Sequence, residues 1–320
     1  MYDKEFIIRT SKIWDTTIDN TISLLQTNYL KSVRINTINQ KKSTLSNIKK
    51  MIPPNSIEFI DWSKDCYKLK NNTTLDTHNA LFSSGQCIIQ NASSYISVIE
   101  LKLTKNDKIL DLCAAPGSKS SHIAMLTNNK SVLVLNDTSK ARFFKMRELM
   151  NIYNVKAEYS LRDGRNISKY YPANYFNKIL VDAPCSGEAN ITISDTWKYS
   201  TIKRLQKVQI TLLNEAYKML ASGGRLVYST CTIAPEENEL VVNNLLDQYP
   251  QAQILPVGQY PIPKMQGLEY WKNKKMNKSL KQTLRLLPGE YTKPFYIAVI
   301  TKNTSVSEDN SYLKLSQGLY

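Results

Sequence analysis

The segment Lys108-Ile-Leu-Asp-Leu-Cys-Ala-Ala-Pro-Gly-Ser-Lys119 sets the architecture of this chain. A short apolar run, Lys108–Leu112, gives way to a turn of small residues and then to a helical pattern. Such a turn lets the backbone approach a ligand closely. It carries one glycine, Gly117, so it is neither the three-glycine dinucleotide fingerprint nor a Walker loop.

The same alternation continues outward from that segment. Apolar runs recur at Ser131–Leu135, Ala157–Leu161, Lys178–Val181 and Arg225–Tyr228, and a late one spans Phe295–Ile300. Between them, Ser139 is placed to cap a helix burying Phe143, Met146 and Met150. Leu205, Val208, Leu212, Ala216 and Met219 form one stripe, which Gly223-Gly224 should end. Pro235, Glu236 and Glu237 should open a further helix. Continuous apolar strands between helices imply an α/β fold with a mostly parallel, doubly covered sheet. Before residue 100 the patterns are shorter: a helix over Trp14–Leu30, strands near Ser32–Asn36, Ile57–Ile60 and Cys66–Leu69, a helix over Thr44–Met51 and a break at Pro53-Pro54. This predicts a small α+β module (1–100), a large domain (101–302) and a polar tail (303–320).

Composition narrows the partners. The chain has 320 residues and a net charge of +15, which points to a polyanion, with nucleic acid first. Lys31–Lys50 contains six cations and no acid, and Pro261–Leu286 contains seven against Glu269, with Tyr270 and Trp271 among them. Aromatics in a basic run can stack on bases. Five scattered cysteines without CxxC spacing, and two histidines, predict neither a disulfide framework nor a metal site. No run suits a membrane span and the N-terminus lacks a secretory layout, so a cytoplasmic protein without membrane attachment is expected, as a monomer.

Ligands of open parallel sheets bind beyond the carboxyl ends of the strands. There stand Asn136-Asp137, where an acid can meet ribose hydroxyls; Asp163-Gly-Arg165; Val181-Asp-Ala-Pro-Cys-Ser-Gly187; and Tyr228-Ser-Thr-Cys-Thr232. Cys185 and Cys231 thus fall past two strand ends. Each is either a buried small hydrophobe or a nucleophile candidate.

These motifs carry a resemblance. Residues 85–302 resemble the catalytic region of the RNA cytosine-C5 methyltransferases of the RsmB/Nop2/Sun family, through DLCAAPGSK (Asp111–Lys119), LNDTSKAR (Leu135–Arg142), RDGR (Arg162–Arg165), VDAPCSGEA (Val181–Ala189) and VYSTCTIAPEENE (Val227–Glu239). LRLLPG and FYIAVITK resemble the closing strands, and Ser32–Thr37 the N-terminal module. The resemblance implies a Rossmann-like methyltransferase sheet and S-adenosylmethionine as cofactor. It implies that Cys113, Ala114, Ala115, Pro116, Gly117, Ser118 and Lys119 lie near the cofactor's amino-acid part, and that Arg142 also belongs to the cofactor-binding set. Asp137 would meet its ribose, Asp163 its adenine, and Asp182 would lie where cofactor and base meet. It further implies Cys231 as nucleophile, Cys185 in product release, and Asp182 with Lys119 at the base edge. The target would be an unpaired or flipped-out cytosine, in ribosomal RNA first and transfer RNA second. A non-catalytic RNA-binding or ribosome-assembly protein on the same fold is the alternative. Departures from the family pattern are Asn91, Ser118 and Glu188-Ala-Asn190.

Overall fold

A computed structural model describes residues 2–39, 57–63, 65–70, 80–192 and 195–303. The expected helix over Thr44–Met51, the Pro53-Pro54 break and nearly all of the tail lie outside the described residues.

Two sheets organise the chain. The first is antiparallel, with β1 (Ser32–Ile35), β2 (Ile57–Phe59), β3 (Cys66–Leu69) and β4 (Cys87–Ile89) in the order β2-β3-β1-β4. The second has nine strands. Its parallel half comprises β5 (Lys108–Asp111), β6 (Val132–Asn136), β7 (Glu158–Ser160), β8 (Phe176–Asp182) and β9 (Leu220–Thr230). Its antiparallel half comprises β10 (Ala252–Leu255), β11 (Lys264–Gln266), β14 (Leu284–Leu286) and β15 (Phe295–Lys302), with β15 lying against β9. A separate hairpin joins β12 (Tyr270–Trp271) to β13 (Lys274–Lys275).

The strand order β9-β8-β5-β6-β7 reverses direction of travel between β5 and β8. That switch point opens a crevice at the carboxyl edge, with Asp111 and Asp182 at its two sides. Both faces of the sheet are buried. Leu110, Ile179 and Tyr228 pack on one side against the helix Tyr199–Met219. Ile109, Leu135, Leu180 and Val227 pack on the other, with Phe143, Met146 and Met150 of the helix Lys140–Ile152. Ser139 caps that helix as expected, its hydroxyl accepting from the Arg142 amide.

Several expectations are corrected. The helix expected over Trp14–Leu30 spans only Ile18–Leu25, and a further helix, Lys4–Trp14, precedes it where none was expected. Asp15 turns left-handed at φ 48° and Thr17 caps the restart, accepting from the Asn20 amide at 3.2 Å. The first helix buries Phe6, Ile13 and Trp14 with Trp197, Ile202 and Ile233, partners far along the chain. The Gly223-Gly224 pair lies inside β9 rather than closing the preceding helix, which stops at Met219. The ladder with β8 shifts register beside it. The helix expected from Pro235 starts at Glu239, because Glu236 and Glu237 turn inward to side-chain partners.

Two cations from the basic stretches are structural. Arg34 is fully buried on β1 and donates to Gln90 Oε1 at 3.2 Å, Ser118 O at 3.1 Å and Ser121 Oγ at 2.6 Å. It fastens the first sheet to the helix Ser118–Thr127. Arg285 is buried and donates to Glu239, with Nη1 reaching Ile233 O at 2.8 Å. Trp271 is likewise committed, its indole N–H donating to Glu236 Oε1 at 2.9 Å beneath the Arg9 guanidinium. A cation buried with every donor satisfied cannot also meet a phosphate.

Candidate active site

The loops after β8 and β9 meet. Ala183 N donates to Ser229 O at 3.0 Å, and the Cys185 and Cys231 sulfurs stand 3.3 Å apart. Each cysteine is followed by a hydroxyl residue, and Ser186 Oγ lies 2.8 Å from Thr232 Oγ1. Glu237 clamps both loops: its carboxylate accepts from Ser186 N at 2.9 Å, from Ser186 Oγ and from Gln209 Nε2 at 2.8 Å, and lies 3.2 Å from Thr232 Oγ1. Buried Glu188 adds a second tie, accepting from Thr232 Oγ1 at 2.9 Å, Ile233 N at 3.0 Å and Trp197 Nε1 at 2.8 Å. Two saturated buried carboxylates thus fix the spacing of the two thiols.

The two sulfurs differ in environment. A hydrogen bond from the Cys185 thiol holds the Cys231 thiol below its ordinary value, against burial and the Asp182 charge, and Lys119 helps. Cys185 is pushed well above its ordinary value by that same hydrogen bond to Cys231, then by burial and by the charges of Cys231 and Glu237. Cys231 is therefore the sulfur favoured as thiolate, with Cys185 S–H donating to it. The thiolate is the reactive form.

Beside them, Lys119 Nζ donates to Asp182 Oδ2 at 2.6 Å, and Ser229 Oγ donates to Asp182 Oδ1 at 2.8 Å. Burial works to lower the Lys119 ammonium pKa, but the Asp182 carboxylate outweighs it and raises it. Asp111, at the end of β5, is buried and accepts from Ser120 Oγ at 2.7 Å; burial pushes its carboxyl up to about 7.

The crevice at the switch point is a cavity of about 350 Å³. Cys113, Ala115, Asp137, Arg142, Asp163 and Asp182 line it, and Cys185 and Cys231 close one end. Asp137 is buried, accepting from Ala115 N at 3.2 Å and Ser139 N at 2.9 Å. Arg165 grips Asp163 with two of its nitrogens and holds that carboxyl below its usual range. Asn136 Oδ1 is buried without a protein partner. A Cβ on Gly164 would lie 2.7 Å from Leu212 Cδ2, so the floor there is packed tight.

Pro116, Ser118 and Lys119 line instead a cleft on the other side of Cys231. Ala114 and Gly117 line neither cavity. Gly117 sits at φ 105°, and a Cβ there would strike Met150 Cε at 2.4 Å, so this glycine serves close helix packing. Sequence reasoning missed Glu188, Gln209 and the inward role of Glu237. The signal available was the paired spacing, with Ser186 and Thr232 each one residue past a cysteine.

Comparison with known proteins bears on this geometry. The family model described as "16S rRNA methyltransferase RsmB/F" matches residues 98–301. The chain belongs to the RsmB/F methyltransferase family. It is 32% identical over 308 residues to a tRNA (cytosine(49)-C(5))-methyltransferase of Pyrococcus abyssi, covering 94% of this chain and 96% of that protein. It is also 32% identical over 230 residues to a probable ribosomal RNA small subunit methyltransferase B of Coxiella burnetii, covering 69% of this chain but only 50% of that relative. A solved methyltransferase homolog from Pyrococcus horikoshii superposes with a TM-score of 0.79 at 29% identity, covering 94% of this chain and 95% of that one. NSun6 from Pyrococcus horikoshii, solved with SFG, shares the fold at a TM-score of 0.78 and 18% identity, covering 95% of this chain and 99% of that one. The Rossmann-like methyltransferase sheet expected of a family member is the sheet observed here.

Proposed function

We propose that this chain methylates carbon 5 of cytosine in RNA, using S-adenosylmethionine, with Cys231 as nucleophile. The observation that carries the proposal is the thiol pair 3.3 Å apart at the end of the switch-point cavity, one sulfur favoured as thiolate, beside Lys119–Asp182. The residues lining that cavity suit the cofactor. Acceptors predominate, with the Asp137, Asp163 and Asp182 carboxylates and the unpartnered Asn136 oxygen, as a ligand with an ammonium, ribose hydroxyls, an adenine amine and a sulfonium requires. Arg142 is the cation available to the cofactor's carboxylate. When bound, S-adenosylmethionine supplies an electrophilic methyl group and retains the bonding electrons as a thioether.

Carbon 5 of cytosine is too weakly nucleophilic to be methylated unaided. The Cys231 thiolate adds to carbon 6, and the electron pair of the 5,6 double bond moves toward carbon 5 and N3. Asp182 is the partner for N3, with the Lys119 ammonium behind it as proton source. Carbon 5, now enamine-like, takes the methyl group and N3 returns its proton. Cys185, having passed its own proton to solvent, takes the carbon-5 proton. The double bond re-forms and Cys231 leaves as thiolate, again accepting from Cys185 S–H. One proton is released overall.

Under this reading the division near residue 100 separates an RNA-binding module from the methyltransferase domain. Transfer RNA is the favoured substrate, because the relative matched along 96% of its length acts on it. Ribosomal RNA is second, from the family model's description. The test is transfer of tritiated methyl groups to total RNA, with nucleoside analysis and Cys231→Ala in parallel. The expected result is 5-methylcytidine with wild type, none with the variant, and label in the tRNA size fraction. RNA and cofactor binding without any label would favour the scaffold reading.

A further inference from the structure

Cys231 borders two clefts. One is the switch-point cavity. The other, about 360 Å³, is lined by Lys119, Phe295, Lys293 and Asn190. Asn190 also lines a third cleft of about 270 Å³, with Ser186, Gly187, Trp197, Lys198 and Thr201. Lys198 and Thr201 bracket Tyr199, which opens with Lys203 onto a fourth cleft of about 510 Å³ containing Lys207, Trp271, Lys272 and Lys274. The first three clefts meet through Cys231 and Asn190, whereas the fourth lies round the helix Tyr199–Met219 from Thr201, because residues two apart on a helix point to opposite sides. A strand passing from the third cleft to the β12–β13 hairpin therefore crosses the N-terminal end of that helix at Lys198.

The far end of that path is electropositive. The carboxylate lining it, Glu236, already accepts from Arg9, from Trp271 Nε1 at 2.9 Å and from Tyr199 Oη at 3.0 Å. Lys272 lies 3.7 Å from Glu236 and is 60% exposed, so that contact is weak. Lys203, Lys207 and Lys274 are exposed and have no carboxylate within ion-pair distance among the described residues. Four cations around one acid whose charge is spent leave a strongly positive groove, as a polyanion requires. Aromatic surface is present too. The Tyr199 ring carries Lys203 at 5.1 Å and Lys272 at 4.7 Å, and Tyr270 is 58% exposed at the hairpin.

Resting on the function proposed above, we infer that a single RNA strand leaving the target cytosine runs along these clefts. Its phosphates meet Lys203, Lys207, Lys272 and Lys274, and its bases lie against Tyr199 and Tyr270. Arg34 and Arg285 take no part, being sealed inside the fold.

The test uses the full chain and a fluorescein-labelled oligocytidylate about a dozen nucleotides long. The groove variant is Lys203→Ala with Lys274→Ala. The control is Lys130→Ala with Lys156→Ala, an equal charge loss just before β6 and β7, at the opposite edge of the sheet. The groove variant should bind roughly tenfold more weakly near physiological salt, with a log–log salt slope shallower by about 1.4. The control should change far less, and cofactor affinity should not move. Equal losses in both double variants, or wild-type binding by the groove variant, would overturn the path. The same preparations are assayed for 5-methylcytidine. Product formation with unaltered RNA binding by the groove variant sinks the path alone. A groove effect without any product from wild type supports the path and counts against the reaction.

Discussion

Two ion pairs of the same chemistry sit in different surroundings. Lys119–Asp182 joins at 2.6 Å, with side chains 13% and 27% exposed, and Asp182 opens on the cavity while Lys119 faces the cleft beyond Cys231. Arg285–Glu239 is sealed, with 4% and 0% exposure, and its remaining capacity goes to Ile233 O and Leu268 N. The open pair keeps donors and acceptors for a ligand. The closed pair has none to spare and can only hold the fold. Both pairs join one cation to one carboxylate, so charge does not separate the two; access does.

Breaking each pair should therefore cost different things. Lys119→Met or Asp182→Asn should lower the methyl-transfer rate by about 10²–10⁴-fold, with the melting temperature shifted by only a few degrees. A large loss of stability instead would erase the distinction. Arg285→Met strands a buried carboxylate and should destabilise by about 3–5 kcal/mol in urea unfolding, while the folded fraction keeps cofactor affinity.

A third ion pair sharpens the contrast through pH. Glu236, buried but braced by Arg9 and Trp271, is lowered from 4.5 to about 2. A depressed carboxyl contributes stability that is full above its unfolded value and is lost as pH falls through the folded one. The window is thus pH 4.5 down to about 2, and the loss is about 3 kcal/mol. Urea unfolding of wild type and Glu236→Gln at several pH values measures it. A pH dependence identical in both would contradict the assignment.

The smallest effect concerns the clamp. Glu237→Gln keeps the shape but removes a charge that helps raise the Cys185 thiol. Iodoacetamide labelling followed by peptide mapping should find Cys231 modified ahead of Cys185 in wild type. The variant should narrow that gap by a few-fold, and an unchanged ratio would show that Glu237 acts by position alone.

The parallel half of the sheet was legible because its strands are continuous apolar runs and its site residues fall just past their ends. Burial on both faces leaves one pattern to read. Asp137, Asp163, Asp182, Cys185 and Cys231 follow from that placement, and the cavity does gather them. The N-terminal helices were not legible in the same way. Their breaks rest on Asp15 turning left-handed, and their burial rests on Trp197 and Ile233, distant in sequence. Cations were misread where a carboxylate far along the chain claims them, as Glu239 claims Arg285 from 46 residues away. The inward turn of Glu236 and Glu237 had the same cause, since acids before a helix suit its dipole as well as a buried cation or hydroxyl.

The central claim is that Cys231 forms the bond to carbon 6 and Cys185 lets it go. The most direct measurement incubates Cys185→Ala with S-adenosylmethionine and total RNA, then looks for protein–RNA adducts that survive denaturing electrophoresis. The account predicts an adduct whose linked peptide contains Cys231, and none when Cys231→Ala is added. Efficient product release by Cys185→Ala, or an adduct that persists without Cys231, would contradict it.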